Sequence, residues 1–205
     1  MSEPLPIPVL TGPTLTLRPH VEADLGPIVE RCSDPDSIRW TTVPTPYTQD
    51  MGRGYLAEIM QPSEQQISWA IERDGAYAGT IDLRAWSRQP DHGSGGIGFV
   101  THPRVRGLGV MSEAVGLVVD HAFTDLGWEL VAWQANVGNY ASCKAAWRNG
   151  FPVPLLVPAL LDHKGRRLDG WHSVLEPDMP REPQVSWDEV CAVLEEHVRT
   201  ARRPG

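Results

Sequence analysis

The run Arg104-Val105-Arg106-Gly107-Leu108-Gly109 constrains this chain more than any other stretch. It stands between a strand-like segment, Ile97-Gly98-Phe99-Val100-Thr101, and a helix-like one from Val110 to about Leu126. Two glycines at a strand-to-helix junction, with arginines and no acid between them, suit a loop whose amides point at a phosphate. The start of the following helix adds its own unpaired N–H groups and a positive dipole end.

Two better-known phosphate motifs are excluded. A Walker loop needs Lys and then Ser or Thr after its last glycine, whereas Val110-Met111 follow Gly109. Gly93-Ser94-Gly95-Gly96-Ile97-Gly98 fits G-x-G-x-x-G literally, with Glu113 and Asp120 at plausible spacing for a ribose-binding acid. That fingerprint must follow a strand and open a helix. Here the polar run 87–92 precedes it and a β-type apolar stretch ending at Pro103 follows.

At 205 residues the chain is one ordinary domain with a full core, or at most a domain with arms. An apolar share of 41% is enough for a full core. No apolar run approaches a membrane span, and Met1-Ser2-Glu3-Pro4 lacks the basic start of a signal peptide. Cys32, Cys143 and Cys191 show no C-x-x-C pairing, so reduced thiols and a cytoplasmic setting are expected. A net charge of −8 argues against a nucleic-acid partner. The seven histidines show no ligand spacing, so no metal is assigned.

Residues 1–13 are proline-rich and read as an arm, too broken for regular structure. The main domain is placed at 14–185, with a C-terminal helix and tail at 186–205. Leu15 and Leu17 alternate with Thr14 and Thr16 as a first strand. Ala23–Arg31 and Gln49–Met60 read as helices, joined by a loop containing Trp40-Thr41-Thr42-Val43-Pro44-Thr45-Pro46-Tyr47. Asp74-Gly75 between Ser68–Glu72 and Tyr77–Trp86 predicts a tight hairpin. In its second strand Ile81, Leu83 and Ala85 share one face, and Thr80, Asp82 and Arg84 the other.

Met111, Ala114, Val115, Val118, Ala122 and Phe123 form one helical stripe. Trp128–Ala135 reads as a strand, and Asn139–Asn149 as a short helix stopped by Gly150. A strand pair follows around Lys164-Gly165, and Ser186-Trp187-Asp188-Glu189 is a capping box opening a last helix.

With Asn139-Tyr140-Ala141-Ser142 and Asn149-Gly150-Phe151 the chain resembles the GNAT acetyltransferase superfamily, and within it the branch that acetylates N-termini of ribosomal proteins. Strand, R-x-x-G-x-G, helix, strand, N-x-x-S, short helix and G-F occur in that order. Leu15-Thr16-Leu17-Arg18-Pro19, Trp40-Thr41-Thr42-Val43-Pro44 and Arg167-Leu168-Asp169-Gly170-Trp171 extend the similarity over about 14–176. The resemblance implies a mixed α/β GNAT fold: a central twisted mixed sheet, a splayed parallel strand pair and helices on both faces. It also implies transfer of acetyl from acetyl-CoA to an amine by direct attack, without metal or covalent enzyme intermediate.

The same resemblance implies that amides from Arg104 through Arg106, Gly107, Leu108 and Gly109 to Val110 hold the CoA pyrophosphate. Pantetheine would lie between Ile97–Thr101 and Trp128–Ala135. Backbone groups of Phe99, Val100 and Thr101 would meet pantetheine and the thioester carbonyl, the equivalent of an oxyanion hole. Ser142 is expected near the CoA sulfur, where a hydroxyl can stabilise the leaving thiolate; its ordinary alternative is a bond to the carbonyl one turn earlier. Asn139 is either an N-cap or a pantetheine partner. Cys143 points about 100° away and reads as a packed thiol.

Several members of the family it resembles carry a glutamate about where Gly96 stands, so no general base is evident here. Asp82, Asp91 and His92 are substitutes by sequence proximity only and read as surface or loop residues. At pH 7 an α-amine costs about 1 kcal/mol to deprotonate and a lysine about 4.6. A protein N-terminal α-amine is thus the expected acceptor, a small amine the second choice, with succinyl and other acyl donors left open. The rival reading is a non-catalytic acyl-CoA-binding or regulatory protein on the same fold. A homodimer is conceivable, with Trp171 and the last strands as its pairing edge.

Overall fold

Two primed turns set the registers of two hairpins. Asp74 and Gly75, at φ +52° and +74°, lie between Arg73 and its partner Ala76, and Lys164-Gly165 repeat the device between His163 and Arg166. Successive positive φ values match the right-handed twist of the flanking strands. The computed structural model describes residues 7–61, 63–87 and 93–201.

In chain order it holds β1 (Leu10–Thr11), β2 (Thr16–Arg18), α1 (Leu25–Cys32), α2 (Pro35–Trp40), α3 (Gln49–Ile59), β3 (Gln66–Arg73) and β4 (Ala76–Ser87). There follow β5 (Gly93–Thr101), α4 (Val110–Thr124), β6 (Trp128–Asn136), α5 (Tyr140–Trp147), β7 (Leu155–His163), β8 (Arg166–Leu175) and α6 (Trp187–Thr200). The strands form one sheet in the order β1-β2-β3-β4-β5-β6-β8-β7. Its β5–β6 pair is parallel and its other pairs are antiparallel. A parallel pair needs a crossover, and α4 supplies it.

The α4 stripe of Met111, Ala114, Val115, Val118 and Ala122 is buried against Ile81, Leu83 and Val131, with Phe123 partly buried beside it. Burying a side chain of this size contributes roughly 1.5–3 kcal/mol, enough to hold α4 on that face. The other face is covered by α1 and α3, whose Ile28, Cys32, Leu56 and Ile59 pack around Tyr77 of β4. Both faces of β4 are therefore buried, Thr80 and Asp82 as well as Ile81 and Leu83.

Four expectations are corrected. Leu10–Thr11 form a strand on β2 despite the surrounding prolines, because Pro4, Pro6, Pro8 and Pro13 flank the pairing residues without occupying them. Asp34 caps a further helix, α2, with Pro35 at its first position; proline is tolerated there because that N–H has no helical partner. β5 begins at Gly93, four residues before Ile97, and its glycines leave room for the Trp128 ring. Trp171 is fully buried in β8, between β6 and β7, so it lies on no edge; of the last strands it is β7 that stands at the edge of the sheet.

Near the start, Arg18 holds Asp24 with two parallel bonds of 2.9 Å and reaches Glu72 at 2.6 Å. Burial alone would raise the Asp24 pKa. The Arg18 and His20 contacts and the Val21 amide outweigh it and hold the carboxyl well below the usual range. Its contribution is therefore present above the ordinary carboxylate pKa and lost as pH falls below it. Asp24→Asn is expected to lower unfolding free energy by about 2 kcal/mol, less than for a fully buried pair because Arg18 keeps Glu72. Denaturant melts at pH 7 check this, and the difference should shrink towards pH 2.

Candidate active site

β5 and β6 pair from Gly93 and Trp128 as far as Ile97 and Trp133. Beyond that point each follows its other neighbour, β5 along β4 to Thr101 and β6 along β8 to Asn136. The parallel pair opens into a V, and backbone groups of β5 that would have met β6 face the gap. A cleft of about 620 Å³ occupies it, within the range that takes a small-molecule ligand. A second cavity of about 220 Å³ shares Phe99, Val100, Asn139 and Ser142 with the first and adds Thr101 and Arg106.

Ser142 and Asn139 stand at the junction of the two cavities. Asn139 caps α5, its Oδ1 accepting from the Ser142 amide at 3.2 Å. Ser142 Oγ has one hydrogen bond among the described residues, accepted from the buried Trp133 indole N–H at 3.0 Å. It does not bond back into its own helix. Because an indole can only donate, the Ser142 hydroxyl must accept there, and its own proton is left to point elsewhere. Cys143, the next residue, is buried in the core, and burial with the neighbouring Cys191 pushes its thiol up to about 12. It has neither the access nor the thiolate fraction of a nucleophile.

The Arg104–Gly109 loop leads into α4. Gly107 and Gly109 adopt φ +78° and +79°, a region that favours glycine, and Gly109 caps α4 without a side chain. The first amides of α4 are left open by helix geometry. Val110 is buried as the helix begins, and Leu108 is exposed. The arginine side chains are engaged elsewhere. Arg104 pairs with Glu30 at 2.5 Å, and Arg106 holds Asp34, Asp36 at 3.2 Å and the Ser37 hydroxyl at 3.1 Å. They tie the loop to α1 and α2. Of the amides expected to hold phosphate, those of Arg104, Val105, Arg106 and Leu108 already donate within the loop, to His102, Pro103 and Val105. Among the described residues the groups open to an anion are therefore the amides of Gly107 and Gly109 and the first turn of α4. At the loop's base His102 Nδ1 accepts from the Arg104 amide at 3.3 Å, and burial holds its pKa low.

Asp82 lies in the cleft wall rather than on the surface. The face assigned to polar residues is covered by α1 and α3, so alternation along β4 does not expose it. Burial raises its pKa to about 6, against the charges of Arg84 and Arg31 and the Gly98 amide, which lower it. Oδ2 accepts from Arg84 Nη2 at 3.0 Å, while Oδ1, 2.8 Å from Arg84 Nε, has no aligned donor among the described residues. Gly98, its cross-strand neighbour, makes the space: a Cβ there would meet Oδ1 at 2.8 Å. That Asp–Gly pair across two adjacent strands is the one sequence signal that could have located Asp82. Asp91 and His92 lie outside the described residues.

The cleft is also bordered by Trp40, Thr41, Thr42, Val43 and Pro44, and by Arg31 and Trp133. None of these was singled out as a site residue in the sequence, although the segment 40–44 stood out there.

A family model described as an acetyltransferase (GNAT) domain matches residues 14–152. The chain belongs to the GNAT acetyltransferases. It is thus an acetyl-transfer enzyme by family. Among solved structures it is similar to a GCN5-related N-acetyltransferase from Brucella melitensis, at 20% identity and a TM-score of 0.71 over 94% of this chain and 87% of that one. The ribosomal L7/L12 alpha-N-protein acetyltransferase RimL, solved with coenzyme A, gives 18% and 0.72 over 83% and 99%. The microcin C7 self immunity acetyltransferase MccE, solved with acetyl-CoA and AMP, gives 14% and 0.70 over 80% and 93%. At these identities the likeness is one of fold. No curated protein matches the chain.

Proposed function

We propose that this GNAT acetyltransferase moves acetyl from acetyl-CoA to an amine by direct attack, with an α-amine as preferred acceptor. The observation that carries this reading is the V between β5 and β6, with the Ser142 hydroxyl at its junction and Asp82 in its wall. In the proposed step the amine attacks the thioester carbonyl carbon and the C–S bond breaks. Asp82 takes the ammonium proton, and the backbone at Phe99 and Val100 receives the developing oxyanion. The amides of Gly107, Gly109 and Val110 hold the pyrophosphate. The thiolate leaves towards the Ser142 proton, which the Trp133 donation strengthens as a donor.

Asp82 supplies a base where β5 has only glycine at 96. With its pKa near 6 it lies about two units below an α-amine and more than four below a lysine, so the α-amine remains the easier acceptor. The cytoplasmic setting stays part of this proposal; all three cysteines are free thiols. A thermal-shift screen of acyl-CoAs, followed by an amine panel with thiol release detected, tests the whole reading. Acyl-CoA binding without turnover on any amine would favour the regulatory alternative.

Ser142→Ala should lower kcat by about tenfold or more while CoA affinity changes less, because the hydroxyl matters most as the thiolate forms. The variant leaves the buried Trp133 N–H without its acceptor, so a stability loss of about 1–2 kcal/mol should accompany it. Cys143→Ala should leave the kinetics nearly unchanged. The reverse order of effects would reassign the neighbour of the sulfur.

A further inference from the structure

The acceptor side of the cleft holds a cation without an adjacent anion. Arg31, in the last turn of α1, is 4% exposed and borders the cleft. Its guanidinium stays charged at any pH a protein meets and presents a planar fork of donors. Arg18, Arg104 and Arg106 all pair with carboxylates. Arg31 forms no ion pair among the described residues. Its Nη2 lies 3.5 Å from the Cys32 sulfur, and its buried Nε has no acceptor. The phenols of Tyr55 and Tyr77 lie near it, and burial pushes both above the usual tyrosine value, so neither supplies negative charge at neutral pH. Asp82 feels its charge, but hydrogen-bonds Arg84 instead.

A buried charge without a counter-ion is costly, and a well-packed apolar side chain would hold α1 better. The arrangement makes sense if the counter-ion arrives with the substrate. Glu58 and Asp162 also border the cleft, but both are exposed, where water screens them. The two buried charges that face the space are of opposite sign.

Resting on the acetyltransferase reading above, we propose that the acceptor carries a carboxylate beside its amine, and that Arg31 binds this carboxylate while Asp82 receives the amine. The site then takes an amino-acid-like head group, with the fork of Arg31 matched to a planar carboxylate. Two sources share that chemistry: a free α-amino acid, and a peptide whose first residue is acidic. The walls beyond the charges, Val43, Met51 and Phe99 among them, are apolar and suit an aliphatic side chain.

The test uses the whole enzyme with acetyl-CoA and two matched acceptor pairs that differ in charge. One pair is leucine and leucinamide, with rates compared per unprotonated amine because the carboxylate of leucine makes its ammonium the weaker acid. The other is a C-terminally amidated peptide beginning Asp-Ala and its Asn-Ala counterpart. Thiol release should give the acidic member of one pair a kcat/KM about 10- to 100-fold higher, mainly through KM, as a charge-assisted pair would. The pair that responds identifies the source. Arg31→Gln should abolish that ratio, and Arg31→Lys should restore it only in part because an ammonium lacks the fork. If the Arg31 variants do not fold, the wild-type ratios decide alone. Equal or better use of the uncharged member in both pairs overturns the proposal and leaves the acetyltransferase reading intact. If none of the four acceptors releases thiol, the transferase reading has failed instead. Calorimetry with CoA and either N-acetylleucine or its amide then judges Arg31 separately: tighter binding of the acid supports the anion site, and equal binding overturns it.

Discussion

Asp82→Asn should lower kcat by about 10²- to 10⁴-fold, the usual range for loss of a general base, while the KM for acetyl-CoA stays near its original value. The pH profile separates this from damage to the fold. In the wild type kcat should rise through about pH 6, where Asp82 loses its proton, and level off above it. In the variant the rate should follow the free amine instead, climbing until the acceptor's own pKa, near 8 for an α-amine. The same substitution should stabilise the protein at neutral pH. Burial raises the folded-state pKa of Asp82 from 3.8 to about 6, so the folded chain holds this proton more tightly than the unfolded one. Its contribution to stability therefore falls as pH rises from about 4 to 6 and stays lost above that. Two units correspond to roughly 3 kcal/mol. Asn at 82 removes the cost of a buried charge, so melting temperature should increase at pH 7.5 and hardly change at pH 4. Loss of activity with a gain in stability is what a site residue held at the expense of the fold produces. A variant that keeps its activity and the pH 6 limb would remove Asp82 from the chemistry.

Gly109→Glu should weaken CoA binding by about 100-fold or more. Gly109 is the N-cap of α4 at φ +79°, with no neighbouring atom within 4 Å of where a Cβ would stand. Placing a carboxylate there sets a like charge and bulk against a phosphate bound at the open amides. The left-handed backbone conformation itself costs a side chain about 1–2 kcal/mol, so the fold should survive. Gly109→Ala supplies the control. It carries the same conformational cost without the charge, and its CoA affinity should fall far less. Titration calorimetry with CoA on both variants, checked by melting curves, gives the comparison. Unchanged affinity in a folded Gly109→Glu would mean that the pyrophosphate is held elsewhere.

The elements that carried local signals were legible in the chain. Asp74-Gly75 and Lys164-Gly165 announced their turns, Ser186 and Glu189 their capping box, and the stripe from Met111 to Phe123 its buried face. Helix α2 was missed: Asp34-Pro35 is a cap followed by a first-position proline, but the same pair also reads as a loop. What lay beyond reach depended on contacts distant in sequence. The glycines opening β5 look like breakers until Trp128 is seen to lie over them. Asp82 belongs to a polar-looking face, and only the packing of α1 and α3 buries it. Arg31 reads as a cation suited to a helix end, and that no carboxylate among the described residues pairs with it is visible only in three dimensions. For Ser142, the sequence indicated the position but not the Trp133 bond that frees its proton.

The most direct test of the account is to supply acetyl-CoA labelled with carbon-13 in the acetyl group, together with an α-amine acceptor that also contains a lysine. Fragmentation mass spectrometry then locates the label, while free thiol is counted in the same reaction. The account predicts one label per thiol released, on the α-nitrogen of the acceptor, with none left on the protein and with the rate in Asp82→Asn lower by about 100-fold or more. Label held on the enzyme as a competent intermediate, or placed mainly on the lysine side chain at pH 7, would contradict it.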